Sequence, residues 1–280
     1  MIVWLASYPK SGNTLLRAIL SSYFFSNDGI FNFKQLNNIV SFPSKKFFDD
    51  IGINTLTSSE KEIFENYINA QKKFLGEKKN SIKFLKTHSS LCNIENYSFT
   101  NLNLTLGVIY VVRDPRTTIL SYCHHFNLTI DKALINFLSP SGTLDKKANL
   151  KTYVNTWNLN YNSWKNIGET RYLLIKYEDL VKDKDKVIKQ VFNFLEKLTN
   201  SKFNINQDKM NNVIESTSFK RMQELEQKFG FHESSVNSKG EKITFFNTGP
   251  KNEKKLILDN INKLKIEKNF EKEMLELGYI

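Results

Sequence analysis

The strongest constraint on the fold lies at the start of the chain, where a short apolar run leads directly into a glycine-containing turn. Residues 2–5 are apolar, and residues 7–17 read SYPKSGNTLLR. This order predicts a buried strand, a tight turn and then a helix. Backbone N–H groups at such a turn point toward one spot, where the helix dipole adds partial positive charge. Lys10 contributes a full charge, so the segment is typical of an anion-binding loop. The side-chain donors of the loop are Ser11, Asn13 and Thr14, on either side of Gly12.

Apolar runs and helix-periodic segments alternate along the rest of the chain. The predicted strands are Ile2–Ala6, Ile82–Lys86, Leu106–Val112 and Tyr172–Lys176. The predicted helices are Thr14–Phe25, Ser59–Leu75, Pro115–Phe126, Tyr153–Ile167, Lys182–Leu198 and Glu253–Leu277, with a long loop at 26–60. We therefore expect one α/β domain over residues 1–280, with a central parallel sheet flanked by helices and a phosphate-binding loop after the first strand. In such folds ligands bind beyond the carboxyl ends of the strands.

Composition narrows the class of protein. The net charge is +11, but the lysines lie at helical spacing, which is typical of solvated helix faces. No nucleic-acid-binding motif accompanies them, so we expect no nucleic-acid partner. No apolar run reaches the roughly 18 residues of a membrane span. The start of the chain lacks a basic leader, and Cys92 and Cys123 have no metal-ligand or disulfide-framework spacing, so we expect a cytoplasmic protein with reduced thiols.

The spacing around Lys10 bears on which anion is bound. A nucleotide-triphosphate P-loop places lysine after its second glycine and follows it with a hydroxyl that holds Mg²⁺. Here Lys10 precedes the only glycine of the loop by two residues. The order Lys10-Ser11-Gly12-x-Thr14 instead resembles the 5′-phosphosulfate loop of the sulfotransferases that use 3′-phosphoadenosine 5′-phosphosulfate (PAPS). Ordinary turn chemistry can give the same short pattern, so further segments are needed.

Further segments resemble the same family in the same order. Lys86-Thr87-His88 ends the second predicted strand, and Arg113 ends the third, with Ser121 eight residues later on the next helix. Tyr177 follows the fourth predicted strand, and Thr217-Ser218-Phe219 follows a short helix. Each segment taken alone also has a purely structural interpretation. Together they cover nearly the whole chain, and the chain resembles a PAPS-dependent sulfotransferase of the cytosolic or bacterial type.

The resemblance implies a role for each matching residue. It implies in-line transfer of a sulfuryl group from PAPS to an acceptor hydroxyl or amine, with His88 as general base, for which an ordinary histidine pKa near 6.5 is well suited. Lys10 and Lys86 would stabilise the charge that develops during transfer, and no metal would be needed. The expected cofactor-binding residues are Lys10, Ser11, Gly12, Asn13, Thr14 and Leu15 in the loop, Arg113 and Ser121 at the 3′-phosphate, Tyr177, Thr217, Ser218 and Phe219 around the adenine, and Asn247, Thr248 and Gly249 in a closing loop.

Two positions depart from the family pattern. Leu15 stands where the family usually has a tryptophan near the adenine. Asn247-Thr248-Gly249 stands where an Arg-Lys-Gly loop usually closes over the 3′-phosphate, so both cations are missing. Two lost charge-assisted contacts weaken binding by about 1.5–3 kcal/mol each. Either Lys251 or Lys254 compensates for them, or the loop folds differently.

Alternatives stay open at this level. A catalytically degenerate nucleotide-binding protein of the same fold fits the Asn247-Thr248 departure, whereas a P-loop kinase lacks its motif. The expected partner is a small-molecule or glycan-type acceptor whose identity the sequence does not reveal. A homodimer is a further expectation from the resemblance, although the usual pairing motif is not recognisable.

Overall fold

A four-stranded parallel sheet forms the centre of the protein. The computed structural model describes residues 1–76, 81–140, 142–237, 239–247, 249 and 258–280. The sheet has the strand order β2-β1-β5-β8. Its strands are β1 (Ile2–Ser7), β2 (Lys83–Thr87), β5 (Thr105–Val112) and β8 (Tyr172–Lys176). Because all three pairings are parallel, the four carboxyl ends lie at one edge.

Helices cover both faces of this sheet. The chain also forms three small hairpins, whose strands are two or three residues long. The helices are α1 (Asn13–Phe25), α2 (Lys45–Asp49), α3 (Glu60–Glu65), α4 (Tyr67–Leu75), α5 (Pro115–Phe126), α6 (Ile130–Leu138), α7 (Trp157–Lys165), α8 (Tyr177–Lys182), α9 (Lys184–Thr199), α10 (Gln207–Ser216), α11 (Phe219–Phe229) and α12 (Asn260–Glu276), with 3₁₀ turns at Phe33–Asn38 and Glu169–Arg171. The hairpin strands are β3 (Asn93–Ile94) with β4 (Tyr97–Ser98), β6 (Thr143–Asp145) with β7 (Leu150–Thr152), and β9 (Ser235–Val236) with β10 (Lys242–Ile243).

Strand β1 is buried along its entire length, which explains the uninterrupted apolar sequence of its first five residues, 2–6. Side chains alternate between the two faces of a strand. Trp4 accordingly lies in the larger core cluster, with Phe42 and Phe99, and Leu5 lies in the second, with Ile19 and helix α9 residues. The sheet is therefore anchored on both faces, and its carboxyl edge is a rigid platform for the loops that follow.

The fold confirms the predicted α/β architecture, with differences at element boundaries. The predicted helix Ser59–Leu75 is wrong as one element, because the backbone leaves helical geometry at Asn66 (φ −95°, ψ 5°) and two helices result. The long helix begins at Trp157 rather than at Tyr153, since the Thr156 hydroxyl caps it by accepting from the Leu159 N–H. The loop predicted at 26–60 contains a 3₁₀ turn and α2. Part of the predicted C-terminal helix, residues 253–257, lies outside the described residues. The domain bounds 1–280 stay a prediction.

The loop after β1 depends on glycine at one position. Gly12 has φ of 102°, and a Cβ atom there would stand 2.5 Å from Cδ2 of Tyr177. A residue with a side chain at this position would have a strained backbone, and its Cβ atom would clash with the Tyr177 ring. Gly12 therefore allows the start of α1 to approach the residue that follows β8.

Replacing this glycine should cost more stability than replacing one that is only strained. We expect Gly12→Ala to lower the free energy of unfolding by about 1–3 kcal/mol more than Gly52→Ala. Gly52 is the matched control because its φ is also positive, at 77°, but a Cβ there meets nothing within 4 Å. Urea unfolding of the two variants and the parent measures this difference, and equal losses would show that the Tyr177 contact is unimportant.

Candidate active site

The loop between β1 and α1 presents hydrogen-bond donors to one point at the carboxyl edge of the sheet. Helix α1 has Gly12 at its N-cap position, and no side chain caps it. The Leu15 N–H donates to the Gly12 carbonyl oxygen at 3.1 Å, so the N–H groups of Asn13 and Thr14 at the start of the helix are left for another partner, as at known anion sites. The Ser11 hydroxyl is buried, and it has no hydrogen-bond partner within the described structure. A buried donor without a partner is costly, and an anion at this place would satisfy it.

Asn13 behaves differently from its neighbours in the loop. Its side-chain amide donates to the Leu5 carbonyl oxygen at 2.9 Å and to Ser7 Oγ at 3.1 Å. Both amide hydrogens are therefore used to hold the end of β1. The expected side-chain donation from Asn13 to an anion is not available in this arrangement, although its backbone N–H lies at the helix start.

Lys10, Lys86 and His88 come together where β1 and β2 end. The two strands pair in register, with Leu5 opposite Lys86. Burial lowers the pKa of Lys10 to about 7 and that of Lys86 to about 8. The Lys10 ammonium lies over the Phe245 ring, 3.6 Å from its centroid. Burial thus makes the charged forms of both lysines more costly than in water, and a bound anion would offset this cost.

His88 is oriented by the strand beside it. Its Nδ1 lies 2.8 Å from the Ser7 carbonyl oxygen, which can only accept, so Nδ1 carries the proton and Nε2 is the basic nitrogen. Asn160 holds the His88 backbone by donating to its carbonyl oxygen at 3.0 Å. Burial, and then the charge of Lys86, lower the pKa of His88 well below the ordinary value near 6.5 that the sequence interpretation assumed. The imidazole is consequently neutral at pH 7 with a free lone pair on Nε2, but it is a weaker base than the sequence analysis assumed.

Arg113 links a second part of the site to the loop. Its Nη1 donates to the Lys10 carbonyl oxygen at 2.9 Å, and its Nε donates to Thr117 Oγ1 at 3.1 Å. The guanidinium also lies over the Tyr177 ring, 4.5 Å from the centroid. Lys10 has a left-handed backbone with φ of 67°, which is strained for a lysine. Arg113 therefore helps to hold Lys10 in that conformation.

The remaining predicted residues occupy the surrounding elements. Ser121 is partly buried on α5, two turns after Arg113. Ser218 caps α11 by accepting from the Arg221 N–H, and the Thr217 hydroxyl donates to the Val213 carbonyl oxygen, so both have structural roles.

Leu15 and Phe219 pack in one apolar cluster, and a Cβ at Gly249 would meet Phe219 at 2.6 Å. Asn247 Nδ2 lies 3.4 Å from His124 Nδ1. Thr248, Lys251 and Lys254 lie outside the described residues.

Sequence reasoning missed one acidic residue of this site. The Glu233 carboxylate accepts from Thr14 Oγ1 at 3.0 Å and from Arg17 Nη1 at 2.5 Å. Its charge also raises the pKa values of Lys10, Lys86 and His88 against the effect of burial. The available signal was Arg17, because an arginine on the apolar stripe of α1 needs a buried acidic partner.

The described ranges contain neither a metal-binding cluster nor a membrane-spanning helix. No group of three or more His, Cys, Asp or Glu is placed there to share a metal ion. No helix in the same ranges is long and apolar enough to cross a membrane.

Comparison with known proteins shows the family to which the chain belongs. The family model described as "Sulfotransferase domain" matches residues 2–278. The chain therefore belongs to the sulfotransferase domain family. Luciferin sulfotransferase of Photinus pyralis is 27% identical over 222 residues, which are 78% of this chain and 55% of that protein. The chain thus spans about half the length of this curated relative.

Solved structures share the fold. A mouse sulfotransferase, SULT7A1, complexed with PAP, aligns with 98% of this chain and 84% of its own, at a TM-score of 0.55 and 19% identity. Retinol dehydratase in a complex with retinol and PAP aligns with 98% of this chain and 81% of its own, at a TM-score of 0.59 and 16% identity. At these identities the likeness concerns the fold.

The burial of Lys10 has a consequence that can be measured on the protein alone. Acetic anhydride reacts only with the neutral form of an amine. The rate of acetylation therefore rises with the unprotonated fraction of the lysine, which its pKa sets. We expect the acetylation rate of Lys10 to rise with a midpoint near pH 7. Trace labelling with acetic anhydride across pH 6–11, followed by peptide mass spectrometry, gives this midpoint. A midpoint near the ordinary lysine value of about 10.4 would contradict the described environment.

Proposed function

We propose that the protein transfers a sulfuryl group from PAPS to a hydroxyl or amine of an acceptor molecule. The observation that carries this proposal is the convergence of Lys10, Lys86 and a neutral His88 beside the uncapped start of α1. Membership of the sulfotransferase domain family and the PAP complexes of two fold relatives support it.

The residues around the loop fit PAPS as the donor substrate. The unpartnered Ser11 hydroxyl, the N–H groups at Gly12 and the Thr14 hydroxyl would bind the 5′-phosphate. Arg113 and Ser121 would bind the 3′-phosphate from β5 and α5. The adenine would lie among the side chains of Leu15, Tyr177 and Phe219, where stacking on an aromatic ring contributes about 1–3 kcal/mol per base.

In this proposal, His88 takes up the acceptor proton, and Lys10 and Lys86 stabilise the charge that develops during transfer. As the acceptor oxygen or nitrogen attacks sulfur, its proton passes to His88 Nε2. The bond between the acceptor and sulfur forms while the bond between sulfur and the bridging oxygen breaks, and 3′-phosphoadenosine 5′-phosphate (PAP) leaves with the electron pair. The donor's negative charge favours the ammonium forms of Lys10 and Lys86, which burial disfavours beforehand. The two ammonium groups then stabilise the developing charge at the leaving oxygen and the sulfonate.

The 3′-phosphate is the weaker part of the fit. Arg113 is buried and already donates to the Lys10 backbone and to Thr117. Asn247 lies beside His124 and supplies no cation where the family pattern has arginine. A nucleotide-binding protein without catalysis is the alternative that this replacement favours. The intact Lys10, Lys86 and His88 favour an enzyme.

The acceptor class, the cellular location and the oligomeric state are also part of the proposal. We infer a small-molecule or glycan-type acceptor, because relatives are named for luciferin and retinol. A cytoplasmic location and a homodimer stay predictions.

His88 provides the sharpest test of the chemistry. We expect His88→Ala to lower kcat by about 10²–10⁴-fold while the dissociation constant of PAP stays within about threefold, because the base acts only as the proton leaves the acceptor. Transfer from PAPS to a panel of phenols, alcohols and amines measures kcat, and calorimetry measures PAP binding. Lys189→Ala is the control, since the Lys189 side chain is 50% exposed on α9, where it pairs with Asp185. Near-normal turnover by His88→Ala would show that another group removes the proton.

A further inference from the structure

The chain beyond α11 crosses the phosphate-binding loop. We call the described residues between 230 and 247 the cover segment, which includes the hairpin β9–β10. Its Phe245 ring lies against the Lys10 ammonium. His124 Nε2 donates to the Thr244 carbonyl oxygen at 2.9 Å, and Ser235 Oγ donates to the His125 carbonyl oxygen. The cover segment is thus attached to α5 as well as to the loop.

One carboxylate attaches the cover segment to the first turns of α1. Glu233 Oε2 accepts from Thr14 Oγ1 at 3.0 Å, and Oε1 accepts from Arg17 Nη1 at 2.5 Å. The Arg17 side chain is only 5% exposed, and that of Glu233 is 25% exposed. These contacts hold the pKa of Glu233 at about 2 against the effect of burial, so the group is an anion at any working pH.

Arg17 is itself fixed in place. Its Nε donates to the Ile39 carbonyl oxygen at 3.2 Å, and its Nη2 donates to the Leu36 carbonyl oxygen at 3.3 Å. A planar guanidinium held by two carbonyl oxygens presents its remaining donors in one direction. Glu233 therefore occupies a built anion position, with a buried arginine on one side and the Thr14 hydroxyl on the other.

This position overlaps with the donor site. The Thr14 hydroxyl has one hydrogen, and Glu233 accepts it, whereas the proposed function assigns Thr14 to the 5′-phosphate. Two anions at neighbouring positions also repel each other, which costs affinity. Resting on the proposed function, we propose that Glu233 is an internal anion that the phosphosulfate end of the donor must displace from Thr14, so that donor binding loosens the contact between the cover segment and α1.

Removing the charge of Glu233 tests this inference. We expect Glu233→Gln to bind PAP about tenfold more tightly than the parent, because the amide neither repels the phosphate nor retains Thr14 as strongly. Glu233→Asp keeps the charge, and its dissociation constant should stay within about threefold of the parent value. Glu224→Gln is the charge-matched control on α11, where Glu224 is exposed and pairs with Arg221. Calorimetric titration with PAP measures all four proteins, after thermal unfolding has confirmed that each is folded.

The outcomes separate this inference from the function on which it rests. If the parent binds PAP and Glu233→Gln binds it equally or more weakly, Glu233 only attaches the cover segment and the inference is wrong. If none of the four proteins binds PAP, both the donor assignment and the inference fail. Tighter binding by Glu233→Gln alone supports displacement. Equal tightening by Glu224→Gln would assign the effect to net charge and overturn the specific role of Glu233.

Discussion

The pairing of β1 with β2 is the interaction on which the rest of the site depends. The register that puts Leu5 opposite Lys86 brings the end of β2 beside the loop that carries Lys10, and the Ser7 carbonyl oxygen then accepts from His88 Nδ1 at 2.8 Å. Since β1 is buried on both faces, this register cannot slip without exposing core side chains. A rigid sheet edge thus fixes which histidine nitrogen is basic.

The site also depends on the buried charges of Lys10, Lys86 and Glu233. Burial makes the charged forms of Lys10 and Lys86 costly, and the charge of Lys86 also lowers the pKa values of Lys10 and His88. Glu233 offsets part of this concentration of positive charge before any substrate arrives. The protein therefore carries its own counter-ion, which in our proposal the donor substrate has to displace from Thr14.

The sequence alone was sufficient to predict the features that depend on residues close together in the chain. Parallel strands end at one edge, so residues just after them, such as His88 and Arg113, could be placed at the same edge of the sheet, and Pro115 marked the start of α5 correctly. Glu233 could not be found in this way, because 216 positions separate it from Arg17 and no pattern in the intervening loop identifies its partner. Asn13 was misjudged for a related reason: its donors are used by the end of β1, a contact that depends on three-dimensional closure of the turn.

In the function that we propose, the loop after β1 and the end of β5 hold the two phosphates of a 3′-phosphorylated adenine nucleotide. Parallel calorimetric titrations with PAP and with adenosine 5′-monophosphate test it most directly. The account predicts micromolar binding of PAP and binding of the monophosphate that is weaker by about tenfold or more, in line with the loss of one charge-assisted contact. Equal binding of the two would show that Arg113 and Ser121 do not hold a 3′-phosphate. No binding of either would contradict the assignment of the loop itself.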